Sequence, residues 1–327
     1  MNAIVFTEYG SSDVLHMEEV EKPSYKENEV LVRVYAASIN SWDWELLRGV
    51  PFVNRLTFGL FRPKKINILG CDIAGRVEAV GSKVKQFKPG DEVFGDLSRG
   101  SWGGFAEYTC AREDELSLKP ECLTFEEAAA VPQAGLLALQ GLLKGGITSG
   151  QKVLINGASG GSGTFAVQIA KSFGAEVTGV CSTGKMDLVR SLGADYVIDY
   201  TQEDFTKNTQ YYDLIIDAQA HHSIFDYKRV LSDKGVYIMH GGSDTAVNQI
   251  IFLGPLLSMS GSKKMSLLLH KSNKDMNLLI ELLESGRVLP IIDKCYPLNE
   301  TAKAMRYFGE RRARGKVIIT VQDKEQI

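Results

Sequence analysis

The chain has 327 residues, 44% hydrophobic and 24% charged, with a formal net charge of −3. That length suits about two domains of roughly 100 to 200 residues, and the mild acidity gives no general attraction to nucleic acid, so none is expected as a partner. The five cysteines, Cys71, Cys110, Cys122, Cys181 and Cys295, lie far apart and form no C-x-x-C pair, which argues against disulfides and a thiolate zinc cluster. The first residues, MNAIVFTEYG, lack a secretion-signal pattern and no apolar run is long enough to span a bilayer, so a cytoplasmic location is expected.

From Met1 to about Leu118 the sequence is a series of short β-like runs: Ala3 to Thr7, Leu15 to Val20, Glu29 to Ser38, Ile73 to Val80, Glu92 to Phe94 and Phe105 to Thr109. VGSKV (Val80 to Val84) and KPGDEV (Lys88 to Val93) read as turns, so a compact, mostly antiparallel β domain is expected. Interrupting it, Asn40 to Lys65 starts as a helix around Trp42 to Leu47 and continues as a long loop rich in Phe and Leu. Such a loop can line a substrate pocket, graze a membrane surface through residues 50–61, or simply pack on the β domain, and the sequence leaves these open.

After Pro120 the texture changes. Leu123 to Gly146 is Ala/Leu-rich and helical, with a break near Pro132. Lys152 to Asn156 is a short apolar run suited to a buried parallel strand. Gly157 to Gly163 is then nearly free of bulky side chains, and Thr164 to Phe173 is helical up to Gly174. Free amides and the positive end of a helix dipole, with nothing in the way, suit a phosphate anion. The usual G-x-G-x-x-G is altered, with Ala158 first and Gly160 and Gly163 following at the right spacing, but a second strand, Glu176 to Cys181, completes the βαβ context of a dinucleotide site. That second strand ends Val180, Cys181, Ser182, Thr183, Gly184, Lys185, without the acid that takes ribose hydroxyls in NAD sites. Hydroxyls and a lysine suit a 2′-phosphate instead, so NADP(H) is the expected cofactor.

Further alternation follows: helix Asp187 to Leu192, strand Tyr196 to Asp199, strand Asp213 to Asp217, helix Ser223 to Leu231 and strand Val236 to Met239. This predicts a doubly wound parallel sheet. Ligands sit at the carboxyl ends of its strands, which adds Ala218, Gln219, Gly241, Gly242 and Ser243 as candidates. Adjacent His221 and His222 have no metal spacing and read as surface or cap residues. The tail predicts a strand at Lys264 to Leu269, able to pair across a dimer edge, helices at Lys274 to Glu284 and Thr301 to Phe308, and a buried strand at Gly315 to Val321 that completes the β domain.

With these residues in view, the chain resembles the zinc-free quinone oxidoreductase branch of the medium-chain dehydrogenase/reductase superfamily. The resemblance lies in ASINSWDWELLRG (Ala37 to Gly49), LGCDIAGRVEAVGSKVKQFKPGDEVFG (Leu69 to Gly95), INGASGGSGTFAVQIAK (Ile155 to Lys171), VCSTGKMDLVRSLGADYVIDY (Val180 to Tyr200) and RARGKVIITV (Arg312 to Val321). It implies an α/β chain: a GroES-like β-rich catalytic domain at 1–122, a Rossmann doubly wound parallel-sheet domain at 123–265, and a C-terminal segment at 266–327 returning to the catalytic domain, with NADPH in the cleft. It also implies that Ser159, Gly160, Gly161, Ser162 and Gly163 hold the pyrophosphate and that Ser182, Lys185 and Tyr200 surround the adenosine phosphate. Asn40 and Lys316 would approach the nicotinamide side, and Gly241 to Ser243 the carboxamide. Two departures stand out: Gly184 replaces an arginine common in relatives, and Leu137 a threonine.

In the zinc-dependent cousins the first ligand position corresponds to Asn40, and their G-H-E to Gly70, Cys71, Asp72. No metal is therefore expected, and Cys71 is expected to be a buried cysteine. Without a metal, hydride is better delivered to an acceptor that is already electron-poor, a quinone or an α,β-unsaturated carbonyl. Asn40 is the leading polar candidate for the chemistry and Asp43 the second, with Asp43 also readable as a brace for its loop. The alternatives are an enoyl-thioester reductase and a cofactor-bound sensor resting on a membrane surface. A homodimer acting on a small molecule is the expected assembly.

Overall fold

The computed structural model describes residues 1–64, 66–259 and 261–322, with the backbone alone at position 53. The chain folds into two units: residues 1–133, 272–276 and 290–327 form the first, and residues 134–271 and 277–289 the second. Sequence reading set the limits at 122/123 and 265/266. The first limit falls later because the helix that follows Thr124 packs on the β sheet, with Phe125 stacked on Tyr35 at 4.4 Å. The second is not one cut, since the helix near 280 stays with the second unit while the residues on either side belong to the first.

In the first unit the chain begins with β1 (Asn2–Val5), β2 (His16–Glu19), β3 (Glu29–Ile39), α1 (Ser41–Arg48) and α2 (Phe52–Phe58). It continues through β4 (Asp72–Val80), β5 (Glu92–Asp96), β6 (Tyr108–Arg112), β7 (Ser117–Leu118) and α3 (Phe125–Ala129). β3 is the spine: all but Glu29 and Arg33 of its EVLVRVYAASI are buried, which is how a strand covered on both faces reads. β4 runs along one side of it, antiparallel over nearly its whole length. The other side is shared, with β6 taking the first half.

Two expectations here are corrected. The run expected as a loop contains the helix α2, begun at the N-cap Pro51, whose fixed φ suits a helix start. The strand expected at Phe105 to Thr109 begins at Tyr108, because Phe105 pairs elsewhere: its N–H donates to Leu69 O and its carbonyl accepts from Ile4 N.

The second unit holds α4 (Pro132–Lys144), β8 (Lys152–Asn156), α5 (Gly161–Ser172), β9 (Glu176–Cys181), α6 (Met186–Ser191) and β10 (Tyr196–Asp199). After these come β11 (Tyr212–Asp217), α7 (Ile224–Val230), β12 (Leu231–Met239), α8 (Asp244–Met259), β13 (Lys264–Leu267) and α9 (Met276–Glu284). The strands form one parallel sheet in the order β10-β9-β8-β11-β12-β13. The order reverses between β8 and β11, the switch point at which such sheets bind ligands. Sequence reading missed α8: after a polar start its second half, from Ile250, is apolar nearly all round and contains Pro255, so no amphipathic stripe marks it. Among the described residues no helix is long and apolar enough to cross a membrane.

The chain then returns to the first unit with β14 (Ile292–Pro297), α10 (Thr301–Gly309) and β15 (Lys316–Thr320). β15 pairs antiparallel with the second half of β3, and β14, also missed from the sequence, lies parallel on its outer side.

Candidate active site

In the second unit the nucleotide turn opens with Gly157 at φ +81°, a conformation that suits glycine. Gly160 N–H donates back to Gly157 O. A Cβ at Gly163 would stand 2.1 Å from Gly157 O, so no side chain fits there and the helix can close against the turn. α5 begins at Gly161, three residues before the expected Thr164, with Gly160 as its N-cap. The amides of Gly161, Ser162 and Gly163 are therefore those of a helix's first turn, which have no intrahelical partner. Ser159 is buried beside them. The cradle fits a phosphate group on geometry as well as on sequence.

At the end of β9, Ser182 stands at the N-cap position of a short turn at Thr183–Lys185 without a capping bond from its side chain, and Tyr200 is 53% exposed just past β10. The structure adds an acid that the sequence reading did not weigh: Asp199 stands directly opposite Cys181 in register. Its carboxylate accepts from the Thr183 hydroxyl and from Thr201 N and Oγ1 at 2.9 and 2.7 Å, and these donors hold it below the usual carboxylate range. It is an anion already supplied with donors.

Gly241, Gly242 and Ser243 follow β12 and are stitched to the chain after β11. Ala220 N–H donates to Gly241 O at 3.0 Å, and Ser243 N–H to Ala220 O at 2.9 Å. Ser243 Oγ is used as a helix cap, accepting from Ala246 N at 3.3 Å. Beneath them, buried Asp217 accepts from Asn156 Nδ2 at 2.8 Å, Gln219 N at 2.9 Å and Tyr237 OH at 3.0 Å, tying the ends of β8, β11 and β12 together. Of the two histidines expected at the surface or as a cap, His221 is exposed, and half-buried His222, next to the cap residue Ser223, packs edge-on against Phe205 and Tyr227, where burial lowers its pKa.

The first unit holds the other group of candidates, and strand register assembles it. Ser38 lies opposite Asp72, Asp72 opposite Asp96, and Ile39 opposite Val317. Asn40 and Lys316, one step beyond that last pair, thus meet beside the carboxylates. Lys316 is 3% exposed, and its ammonium reaches Asn40 Oδ1 at 2.5 Å, Ile39 O at 3.4 Å and Asp72 Oδ2 at 3.6 Å. An ammonium only donates, so it fixes which end of the Asn40 amide is oxygen. Asn40 Nδ2 donates to Cys71 Sγ at 3.4 Å, lies 3.5 Å from Ser38 O, and also interacts with the Asp72 carboxylate.

Asp43 is fully buried and accepts the Asn40 N–H on one oxygen and the Gly70 N–H on the other, both at 2.8 Å. It is a brace, pinning the start of α1 to the Gly70 turn, and burial pushes its pKa up to about 7. Asp72 is likewise raised by burial, against the pull of Lys316, and accepts from Gln133 N and Ser38 Oγ.

Cys71, Asp72 and Asp96 bring one thiol and two carboxylates within 4.8 Å of one another. The set has one thiol and no imidazole, which differs from the thiolate and imidazole ligands a zinc centre uses. Burial and the neighbouring Asp43, Asp72 and Asp96 push the Cys71 thiol well up, so it is a protonated thiol in the metal-free protein. Asn40 offers a neutral amide, and Lys316 already supplies a cation. Lys316 thus pairs with Asn40 and Asp72 within this unit.

Comparison with known proteins bears on both units. Residues 26–121 match the alcohol dehydrogenase GroES-like domain, and residues 192–319 match a family described as zinc-binding dehydrogenase. The chain is 35% identical to the 2-methylene-furan-3-one reductase of Solanum lycopersicum, over 98% of its own length and 79% of that protein's. It is 33% identical to the chloroplastic NADPH-dependent alkenal/one oxidoreductase of Arabidopsis thaliana, over the same shares. The solved structure of the Escherichia coli quinone oxidoreductase complexed with NADPH superposes with a TM-score of 0.83 at 25% identity, covering 98% of this chain and 100% of that one.

Proposed function

The chain belongs to the quinone oxidoreductase branch of the medium-chain dehydrogenase/reductase superfamily, and from that premise we propose that it is an NADPH-dependent oxidoreductase. Its substrate class is a quinone or an α,β-unsaturated ketone or aldehyde, and it works without zinc. The observation that carries the reading is the bare turn at the start of α5, closed so tightly that Gly163 admits no side chain.

A bound NADPH supplies the hydride. The protein's own part is to hold, orient and stabilise. The first amides of α5 grip the phosphates, and Ser182, Lys185 and Tyr200 take the adenosine phosphate. Lys316 holds the Asn40 oxygen, which turns Asn40 Nδ2 toward Cys71 Sγ and the Asp72 carboxylate. Giving up its contact with Cys71, that amide is the donor for an acceptor oxygen on which negative charge develops. Support for a zinc-free reaction is the donor chemistry around Cys71.

The test is loss of NADPH absorbance with a panel of quinones, alkenals and enones, alongside a crotonyl thioester, on protein treated with chelator and analysed for bound metal. Turnover of quinones or enones by metal-free protein is expected. Turnover of the thioester alone, or activity that returns only with zinc, overturns the proposal. Two finer expectations accompany it. A homodimer would pair the edge strand β13, checked by light scattering. Weak membrane-surface contact would use the exposed Phe52, Leu56 and Phe61, checked by vesicle flotation.

A further inference from the structure

His240 closes the β12 end of the parallel sheet, and its N–H donates to Asp217 O at 2.9 Å. Its imidazole reaches the first turn of α5: Nε2 lies 2.9 Å from Ser162 Oγ. Nδ1 is buried and has no hydrogen-bond partner among the described residues. A buried polar atom left unpaired is costly, and an unpaired acceptor is tolerated more often than an unpaired N–H. The ring proton therefore belongs on Nε2, where it has a partner, and Nδ1 is the bare lone pair. Burial and the neighbouring His270 push the pKa down to about 4, so the ring carries no second proton at neutral pH.

The direction of the Ser162 bond follows. Nε2–H donates and Ser162 Oγ accepts, so the hydroxyl proton is not spent on the histidine. Ser162 sits in the first turn of α5, beside the amides assigned to the pyrophosphate.

We propose that His240 is a positioning residue of the dinucleotide site, turning the Ser162 hydroxyl so that its proton points at the pyrophosphate. This rests on the reading of the α5 turn as the phosphate cradle. Because both pyridine dinucleotides carry a pyrophosphate, His240 governs affinity and not the choice between NADPH and NADH, in contrast to Lys185.

The experiment measures dissociation constants by calorimetry for NADPH, NADH and adenosine 2′-monophosphate, which has no pyrophosphate. The proteins are wild type, His240→Leu, His240→Gln, Ser162→Ala and the His240→Leu/Ser162→Ala double variant, each with a thermal melt. His240→Leu and Ser162→Ala should each weaken NADPH and NADH alike, by about tenfold, the size of one hydrogen bond to a charged group. Binding of adenosine 2′-monophosphate should not change. The double variant should be no weaker than Ser162→Ala, because the two residues act as one unit. His240→Gln, which can place an N–H near Nε2, should restore most of the affinity.

Wild-type affinity in His240→Leu, additive losses in the double variant, or a matching loss for adenosine 2′-monophosphate overturns the assignment while the cradle stands. A wild-type protein that binds no pyridine nucleotide overturns the proposed function, and this inference with it.

Discussion

Lys316 lies within reach of an amide oxygen, a backbone carbonyl and a carboxylate, with almost no solvent. Removing one partner of such a buried set strands the others, at a cost of about 3–5 kcal/mol. Lys316→Met is therefore expected to lower the urea-unfolding free energy by that order, and to release the Asn40 amide so that turnover falls further than affinity for NADPH. Asp43 gives a pH signature. Its folded pKa of about 7 lies above the ordinary carboxylate value, so the folded state binds the proton more tightly than the unfolded chain does. The stability this contributes is complete below about pH 4 and lost as pH rises through about 7. Unfolding free energy measured across that window should fall by on the order of a few kcal/mol, and Asp43→Asn should flatten the fall. An equal slope in the variant would assign the pH dependence to other groups.

At the scale of elements, α5 can be tested at its first turn. Gly163→Ala forces a methyl onto Gly157 O, so the turn must open. A loss of about 1–3 kcal/mol in stability is expected, with weaker binding of both dinucleotides measured by calorimetry. Lys185→Ala should instead weaken NADPH by about tenfold and leave NADH unchanged. These elements also show what was legible in the sequence. β8, β9 and the turn between them were, because a buried apolar run followed by glycines has few other meanings. The start of α5 was placed late, since glycine's poor helix propensity argued against Gly161, and only the fold reveals how the first turn is used. α8 escaped because its second half is apolar nearly all round and shows no period, and β14 because a strand on a sheet edge keeps a mixed pattern. Asn40 could be named from sequence, but its partnership with Lys316 could not, since it depends on the register between β3 and β15. His240 stood in the sequence only as the residue after a strand, and nothing local marked the Ser162 hydroxyl as its partner.

At the scale of the whole molecule, the first unit is made from both ends of the chain. β3 is flanked by β4 on one side and by β6 and β15 on the other, so a chain ending before β15 exposes half of its spine. Ending the protein at Arg314 should leave the first unit unable to fold, seen as loss of soluble protein and rapid cleavage of residues 1–133 by protease, while the parallel sheet of the second unit keeps its own core of Leu154, Val180, Ile215 and Tyr237. The late arrival of β15 reaches beyond architecture. Asp43, Asp72 and Asp96 are translated within the first hundred residues, and the ammonium that balances them comes nearly last. The carboxylates are gathered by strands from early in the sequence, and the ammonium facing them arrives only when β15 pairs with β3.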